Sequence, residues 1–178
     1  MKDNNELKTI REYTKEEIRN SAIIMHPNFE GYDITINDIC MLFEEWSNFT
    51  TLNSPIYDNQ WNEFWDSEWY YMAARTKDSE IKKMISFLSI WYGLSRKSRK
   101  LFDLDQKFDN RIVYMREAIK KKFDANPHLK EKLLQTWDMQ IVEYTYWWDV
   151  FFGIDQKTMK WANILWKLLM EYRHSCKK

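Results

Sequence analysis

The sequence predicts a mainly α fold, a compact single multihelical domain with one or two short β-hairpins. Three observations support this fold class. Only three glycines and three prolines occur among 178 residues, which favours helices over a turn-rich β fold. Apolar residues recur at helical spacing through most of the chain from residue 67 onward. The length fits one domain that can bury a sizeable core.

The chain is predicted to consist of an N-terminal extension and one domain. We expect residues 1–30 to form an extension with a short helix, because residues 14–17 (Thr-Lys-Glu-Glu) have the form of a capping box. Residues 31–178 are expected to form the domain itself. Alternating apolar residues at 32–36 indicate a strand, and turn residues between 53 and 59 predict one or two short hairpins.

Capping residues mark the starts of the next three predicted helices. Ser67 is the expected N-cap of the first, because its hydroxyl can accept an orphan backbone N–H. Glu68 then falls in the first turn, where the helix dipole favours negative charge. Asp78 is expected to cap a second helix that ends at Gly93, and Asp109 to cap a third. The residues expected to face the core are Ile81, Met84, Ile85, Leu88 and Trp91 in the second helix, and Ile112, Met115, Ile119 and Phe123 in the third.

The last third of the chain is predicted to hold two more helices and a strand. Pro127, preceded by Asn126, fits the first position of a fourth helix. Residues 141–145 predict a short strand, and residues 146–153 an aromatic loop. A final helix is expected from Thr158 to Arg173. Its predicted inward residues are Trp161, Leu165, Leu168 and Tyr172.

Charge and composition exclude several classes of function. Lys plus Arg and Asp plus Glu both number 27, so the chain lacks the basic surplus of a general nucleic-acid binder. Cys40 and Cys176 lie far apart and predict no disulfide framework. The histidines have no ligand spacing, so we expect no metal and no other cofactor. Without a long apolar run or a signal peptide, the chain is expected to be cytoplasmic and to have no membrane partner.

Two acids stand among aromatic residues. Glu68 is followed by Trp69 and Tyr70, and Asp149 follows Trp148 in the aromatic loop. An acid enclosed by rings is poorly solvated, which raises a carboxyl pKa and suits a catalytic acid or base. Two carboxyls in a ring-lined site suit the cleavage of a glycosidic bond. Simpler alternatives stay open: Glu68 as a buried residue near a helix cap, and Asp149 as the cap of a turn.

Short motifs along most of the chain resemble, in order, those of the NADAR, or YbiA-like, family. Residues 46–49 resemble its L-S-N-F segment, and residues 67–75 resemble its S-E-H-Y-x-Q-A-x-K motif. Residues 122–136 follow its K-F-x-x-x-P-x-L-x-x-x-L-L-x-T pattern. Residues 142–153 contain counterparts of its V-E and D-x-x-W-G, and residues 163–173 resemble its closing N-x-L-G-x-x-L-M-x-x-R. Each motif is short, but their shared order makes the resemblance specific.

The resemblance implies a mainly helical domain that cleaves N-glycosidic bonds. Known members hydrolyse phosphorylated ribosylamino-pyrimidine intermediates of riboflavin synthesis, and others act on ADP-ribose attached to nucleic-acid bases. The implied substrate is a phosphorylated N-riboside or an ADP-ribose adduct, with ADP-ribosylated nucleic acid as a further candidate. By the same resemblance, Glu68 and Asp149 are the catalytic acids. The residues implied to bind substrate are Asn48, Trp69, Tyr70, Arg75, Arg96, Phe108, Trp148, Phe152 and Asn163.

Some positions depart from the family motifs. Trp69 stands in place of histidine, Met72 in place of glutamine, and Arg75 in place of lysine. A guanidinium group keeps the positive charge but cannot act as a covalent amine. These replacements keep a second hypothesis open, a nucleotide or ADP-ribose binding module without catalysis. A third hypothesis is a helical interaction protein whose aromatic residues only form a core.

Overall fold

The structure is a computed structural model that describes residues 11–12, 23–24, 55–91, 102–105, 107–136, 141–142, 144–145, 150–155 and 160–177. The fold is mainly α, as the sequence predicts. The helices of the described residues are α1 (Ser67–Ala74), α2 (Ser79–Trp91), α3 (Phe108–Ala125), α4 (Pro127–Leu134) and α5 (Ile164–Ser175). Their strands are β1 (Arg11–Glu12), β2 (Ile23–Ile24), β3 (Ile56–Tyr57), β4 (Glu63–Phe64), β5 (Ile141–Val142), β6 (Tyr144–Thr145), β7 (Ile154–Asp155) and β8 (Lys160–Trp161).

The chain divides into two units of internal contacts. One, the terminal unit, comprises Met1–Phe43 and Leu133–Lys178, and the other, the central unit, is Glu44–Lys132. In the central unit α1 packs against both α2 and α3. Because two helices cover it, seven of the eight residues of α1 are buried. The buried side chains of the central unit include Phe64, Trp69, Tyr71, Ile85, Met115 and Phe123.

Helix α3 supplies the longest apolar stripe of the central unit. All four of its predicted core residues, at positions 112, 115, 119 and 123, are buried, so this prediction is confirmed. The predicted cap Asp109 is wrong, because Lys107 is the N-cap and Asp109 lies in the first turn. Lys107 makes no capping bond with its side chain, so the sequence carries no local mark of this helix start. Pro127 is the first residue of α4, as predicted.

Helix α2 is capped as predicted, and its predicted core residue Ile85 is buried, but another of its predicted core residues is not. Asp78 Oδ1 accepts the backbone N–H groups of Glu80 and Ile81 at 2.9 and 3.1 Å. The predicted core residue Met84 is 53% exposed, which corrects the sequence analysis. The buried side of α2 includes Ser86, whose hydroxyl donates to the backbone carbonyl of Glu63 at 2.6 Å. The small serine lets the β-hairpin approach the helix closely.

The hairpin formed by β3 and β4 confirms a predicted short hairpin. Its strands pair antiparallel, with Ile56 opposite Phe64. Asp58 Oδ1 accepts the backbone N–H groups of Gln60 and Asn62, both at 2.9 Å, so one carboxylate organises the loop. Trp61 adopts a left-handed backbone conformation with φ 62° in this loop and is 82% exposed. A fixed loop with an exposed indole thus forms the tip of the hairpin.

Among the residues that the structure describes, the terminal unit contains short strands and the helix α5. Its largest sheet has the order β1-β8-β7-β6, and β2 pairs parallel with β5, against which α5 packs. The strand predicted at 141–145 is present as two short strands in different sheets. The predicted helix start at Thr158 is wrong, since Lys160–Trp161 pairs with β1 and β7 and the helix begins at Ile164. Trp161 is accordingly a strand residue.

Several predictions lie outside the described residues. These are the N-terminal helix, the strand at 32–36 and the helix end at Gly93. The division into an extension (1–30) and a domain (31–178) stays a prediction. Among the described residues, no helix is both long enough and apolar enough to cross a membrane.

Candidate active site

The N-terminus of α1 brings a capping carboxyl and a buried glutamate together. The N-cap is Asp66, whose Oδ1 accepts the backbone N–H of Trp69 at 2.8 Å. The prediction of Ser67 as the cap is therefore wrong by one residue. Aspartate caps a helix as well as serine does, and here Ser67 is the first helical residue, fully buried. Glu68 lies in the first turn as predicted, with only 5% of its surface exposed.

The Asp66 carboxyl keeps its proton to an unusually high pH. Its pKa is raised from 3.8 to about 7, mainly by burial and further by the charge of Glu68. The N–H of Trp69 and the ammonium group of Lys122 act in the opposite direction. Near pH 7 Asp66 therefore exists in both protonated and ionised forms, which is the condition a general acid or base needs.

Lys122 completes this group of charges from α3. Its side chain is 1% exposed, although lysine is rarely buried to that extent. Its positive charge favours the ionised form of Asp66. Two carboxyls and one ammonium group thus share a poorly solvated region of the central unit. We call Asp66, Glu68 and Lys122 the acid cluster. Such a cluster can hold, give up and take back a proton during a reaction.

Two arginines from outside α1 lie around a tyrosine on the Glu68 face of this helix. Residues three, four or seven positions apart share a helix face, so Tyr71 and Arg75 lie on the same side as Glu68. The guanidinium carbon of Arg75 lies 5.1 Å from the centroid of the Tyr71 ring. Arg111 of α3 donates its Nε–H to the Tyr71 hydroxyl at 3.1 Å. Burial raises the pKa of Tyr71, whereas the charges of Arg111 and Arg75 lower it.

The opposite face of α1 borders a separate cavity. Tyr70, Ala73 and Ala74 line it, and its volume is about 170 Å³. The Tyr70 hydroxyl donates to Glu117 Oε1 at 2.5 Å, and burial together with this carboxylate raises the pKa of Tyr70. Asp58, Gln60 and Lys82 add polar and charged groups to the walls. The structure does not bring Tyr70 to the Glu68 face, and its contact with substrate stays a prediction.

Trp69 is a predicted binding residue with an unusual environment. Its side chain is fully buried, and its Nε1 meets no hydrogen-bond acceptor among the residues that the structure describes. An unpaired buried donor is costly, so this indole stands out from the surrounding core. The family motif has histidine at this position. A role of Trp69 in binding stays a prediction.

Two other predicted binding residues lie in the terminal unit. Asn163 is buried, has a left-handed backbone conformation with φ 51°, and donates its side-chain amide to the carbonyl of Ile141 at 3.1 Å. Phe152 packs edge-on against Phe151, with ring centroids 4.6 Å apart. Asn163 thus links the start of α5 to β5. The roles of Asn163 and Phe152 in substrate binding stay predictions.

Several predicted site residues fall outside what the structure describes. These are Asn48, Arg96, Trp148 and Asp149, together with the side chain of Phe108. The convergence of Glu68 and Asp149 on one substrate therefore stays a prediction.

Three residues around Glu68 and Tyr71 were not predicted from the sequence. Asp66 could have been recognised as the cap, since aspartate is as good an N-cap as serine. Lys122 is the lysine of the motif at residues 122–136, but nothing in the local sequence indicates that it is buried. Arg111 carries no local mark, because it meets Tyr71 only through the packing of α3 on α1.

Comparisons with known proteins relate this chain to one family. The family model of the NADAR domain matches residues 36–177. Among solved structures, the NMR structure of the E. coli protein YbiA is similar over 88% of this chain and 86% of that chain, with a TM-score of 0.60. At 23% identity, this likeness concerns the fold. No curated protein matches the chain.

Proposed function

Because this chain belongs to the NADAR family, we propose that it is an N-glycosidase that hydrolyses the bond between a ribose and a base. The family is associated with N-glycosidase activity on ribosylated bases. The proposed substrates are phosphorylated N-ribosides like the riboflavin intermediates, or ADP-ribose adducts on nucleic-acid bases. The proposed catalytic acids are Glu68 and Asp149.

The observation that carries the proposal is the acid cluster at the start of α1. Glu68 occupies the glutamate position of the family motif and is nearly excluded from water. Beside it, Asp66 has a pKa raised to about 7, chiefly by burial. Departure of a base from ribose needs a proton on the base, a water activated by a carboxylate, and negative charge near the developing oxocarbenium ion. The acid cluster offers groups for each of these tasks.

Arg75 bears on how the reaction proceeds. A lysine at this position could act as an amine nucleophile, but a guanidinium group stays charged and cannot. The proposal therefore assigns bond cleavage to the carboxyls and leaves Arg75 with binding. The same replacement supports the second candidate, a module that binds nucleotide or ADP-ribose without turnover.

A substrate panel separates the two candidates. Purified protein is incubated with phosphorylated ribosylamino-pyrimidines, nucleoside monophosphates and ADP-ribosylated oligonucleotides, and the released base is quantified by chromatography. Release of base from any of these supports the glycosidase. Calorimetry with ADP-ribose runs in parallel: binding without turnover on the whole panel supports the binding module. Absence of both binding and turnover rejects both candidates.

A further inference from the structure

The cavity beside Tyr70, in the central unit, is lined by charges of both signs. Tyr70, one of its buried wall residues, is 4% exposed. Asp58 from the hairpin loop and Glu117 from α3 supply two carboxylates, and Lys82 from α2 supplies an ammonium group. The volume of about 170 Å³ is below the range of about 300–1,000 Å³ of sites for drug-sized ligands. The cavity can therefore hold a small molecule but not a whole nucleotide.

The two carboxylates act on one point of the cavity wall, the Tyr70 hydroxyl. This hydroxyl donates to Glu117 Oε1 at 2.5 Å, and the negative charge of Asp58 also acts on it. Glu117 Oε2 has no hydrogen-bond partner among the described residues. The Asp58 carboxylate accepts N–H groups of its own loop, which hold it in place. A cationic group at the Tyr70 hydroxyl would thus meet Glu117 Oε2 and a second negative charge.

Lys82 brings a positive charge to the same cavity without pairing with either carboxylate. Its ammonium group makes no hydrogen bond and no ion pair with any residue that the structure describes. The hydroxyl of Tyr114, a half-buried wall residue, also has no hydrogen-bond partner within the described part of the chain. Opposite charges that line one cavity but do not pair with each other leave room for a molecule that contacts both.

The charges around the cavity balance one another. Lys121 is not a wall residue, but its Nζ lies 5.5 Å from the centroid of the Tyr70 ring. Together with Lys82 it offsets the two carboxylates. A ligand with a net charge would disturb this balance, whereas a zwitterion adds one charge of each sign. The surroundings of the cavity therefore favour a ligand that is neutral overall and charged at both ends.

We propose that this cavity binds a small zwitterion of the amino-acid class, with its ammonium group at Glu117 and the Tyr70 hydroxyl and its carboxylate at Lys82. Charge-assisted hydrogen bonds of this kind are stronger than those between neutral groups. The inference goes beyond the proposed function and does not depend on it, because the cavity lies on the face of α1 opposite Glu68. It also gives Tyr70 a ligand other than the substrate that the family resemblance implies.

A set of matched small ligands tests the need for both charges on the wild-type chain. The full chain, labelled with ¹⁵N, is titrated at neutral pH with alanine, β-alanine and γ-aminobutyrate, which differ in the distance between their charges. At least one of them should shift the amide signals of Gln60, Ala73 and Ala74 saturably. Propylammonium and propionate each carry only one of the two charges. They should bind about tenfold more weakly than the best zwitterion, since each lacks one charge-assisted contact.

Variants of the cavity wall assign each charge of the ligand to its partner. Lys82→Gln should weaken binding of the best zwitterion about tenfold and remove its advantage over propylammonium, because the partner of the carboxylate is gone. Glu117→Gln should likewise remove the advantage over propionate. Lys82→Arg should retain most of the affinity. Lys83→Gln removes the adjacent exposed lysine, which is not a wall residue, and should leave the affinity unchanged. The amide spectrum of each variant shows whether it is folded.

Several results would overturn this site. These are the absence of saturable shifts with all three zwitterions, equal affinity of the best zwitterion and propylammonium in wild type, and unchanged affinity in a folded Lys82→Gln. Displacement of the zwitterion by ADP-ribose would assign the cavity to the substrate site and also overturn the inference.

Release of base from the substrate panel separates this inference from the proposed function. Zwitterion binding that depends on Lys82 and Glu117, in a protein that hydrolyses no N-riboside, supports the site and rejects the glycosidase. Hydrolysis of an N-riboside by a protein that binds no zwitterion supports the glycosidase and overturns the site.

Discussion

The tripeptide Asp-Ser-Glu occurs at the start of two helices of the central unit, and the two copies have different environments. In each copy the aspartate is a capping residue outside the helix, and the glutamate lies in the first turn. At residues 78–80, before and in α2, all three residues are exposed. At residues 66–68, before and in α1, Asp66 is half-buried and the other two are almost fully buried.

The difference between the copies comes from packing and not from local sequence. Helix α1 lies against both α2 and α3, so its first turn is removed from water. Burial then raises the pKa of Asp66 to about 7, and α3 adds the positive charge of Lys122. The same tripeptide sequence forms a solvated helix start in α2 and a candidate proton-transfer group in α1. Substitutions made in pairs, one in each copy, therefore isolate the effect of burial.

The largest expected difference between the copies is in catalysis. Glu68→Gln should lower kcat on a phosphorylated N-riboside by about 10² to 10⁴, since removal of a positioned acid or base typically costs that much. Glu80→Gln makes the same chemical change at the exposed copy and should leave kcat as in wild type. Both are measured by chromatography of the released base. Equal kcat in Glu68→Gln and wild type would remove Glu68 from the mechanism.

The next expected difference is in the loss of stability when the serine of each copy is replaced by a larger residue. Ser67 has no exposed surface, so Ser67→Leu should lower the free energy of unfolding by about 3 kcal/mol through overpacking. Ser79→Leu at the exposed copy should change it by about 0.5 kcal/mol or less. Urea denaturation followed by circular dichroism measures both. A similar loss in the two variants would contradict the burial of the first turn of α1.

The third difference is in the pH dependence of stability. The folded chain binds the Asp66 proton up to about pH 7, well above the pH at which the unfolded chain releases it. The stabilisation from this proton is therefore complete below about pH 4 and is lost as the pH rises through 7. Asn keeps the cap and carries no charge. Asp66→Asn should thus match wild type at pH 4 and exceed it at pH 9 by on the order of 2 kcal/mol, with allowance for the solvent contact of this carboxyl.

Denaturant unfolding at both pH values measures this effect. Asp78→Asn is the matched control for exchanging aspartate for asparagine at a helix cap. An Asp66→Asn variant that is less stable than wild type at pH 9 would mean that the ionised carboxylate is favoured in the folded chain, contrary to its raised pKa.

The smallest expected effect is the contribution of the exposed cap of α2 to stability. Asp78→Ala removes the acceptor of two backbone N–H groups and should lower the free energy of unfolding by about 1 kcal/mol. Asp78→Asn should restore most of that loss, because the asparagine side chain also accepts from the first turn. Thermal unfolding at pH 7 measures the series. Equal stability of Asp78→Ala and wild type would show that the exposed cap contributes nothing.

The parts of the fold that the sequence predicted are those where local pattern and packing agree. The stripe of α3, the cap of α2 and the first position of α4 follow from spacing and from residue type. Met84 has the right spacing, but α2 turns its serines to the hairpin, and only the tertiary packing decides that. Likewise, residues 160–161 pair with β1 and β7, so α5 begins at Ile164 and not at the predicted Thr158.

The candidate site was predictable only where a family motif marks it. Glu68 was singled out from its motif and its aromatic neighbours, and its burial fits both a catalytic acid and a buried residue near a helix cap. Asp66 was missed because the adjacent serine is an equally good cap. Arg111 and Lys122 enter through the packing of α3, which no local pattern encodes. The elements that position a site can be predicted locally, but the charges brought together by packing cannot.

Burial of the start of α1 raises the pKa of Asp66 into the range of a group that transfers protons near pH 7. The most direct test is an NMR titration of the Asp66 side-chain carboxyl, labelled with ¹³C, in wild type and in Glu68→Gln. We expect a midpoint near pH 7 in wild type and a lower midpoint in Glu68→Gln, where the neighbouring charge is absent. A wild-type midpoint near pH 4, the ordinary range of an aspartate, would contradict it.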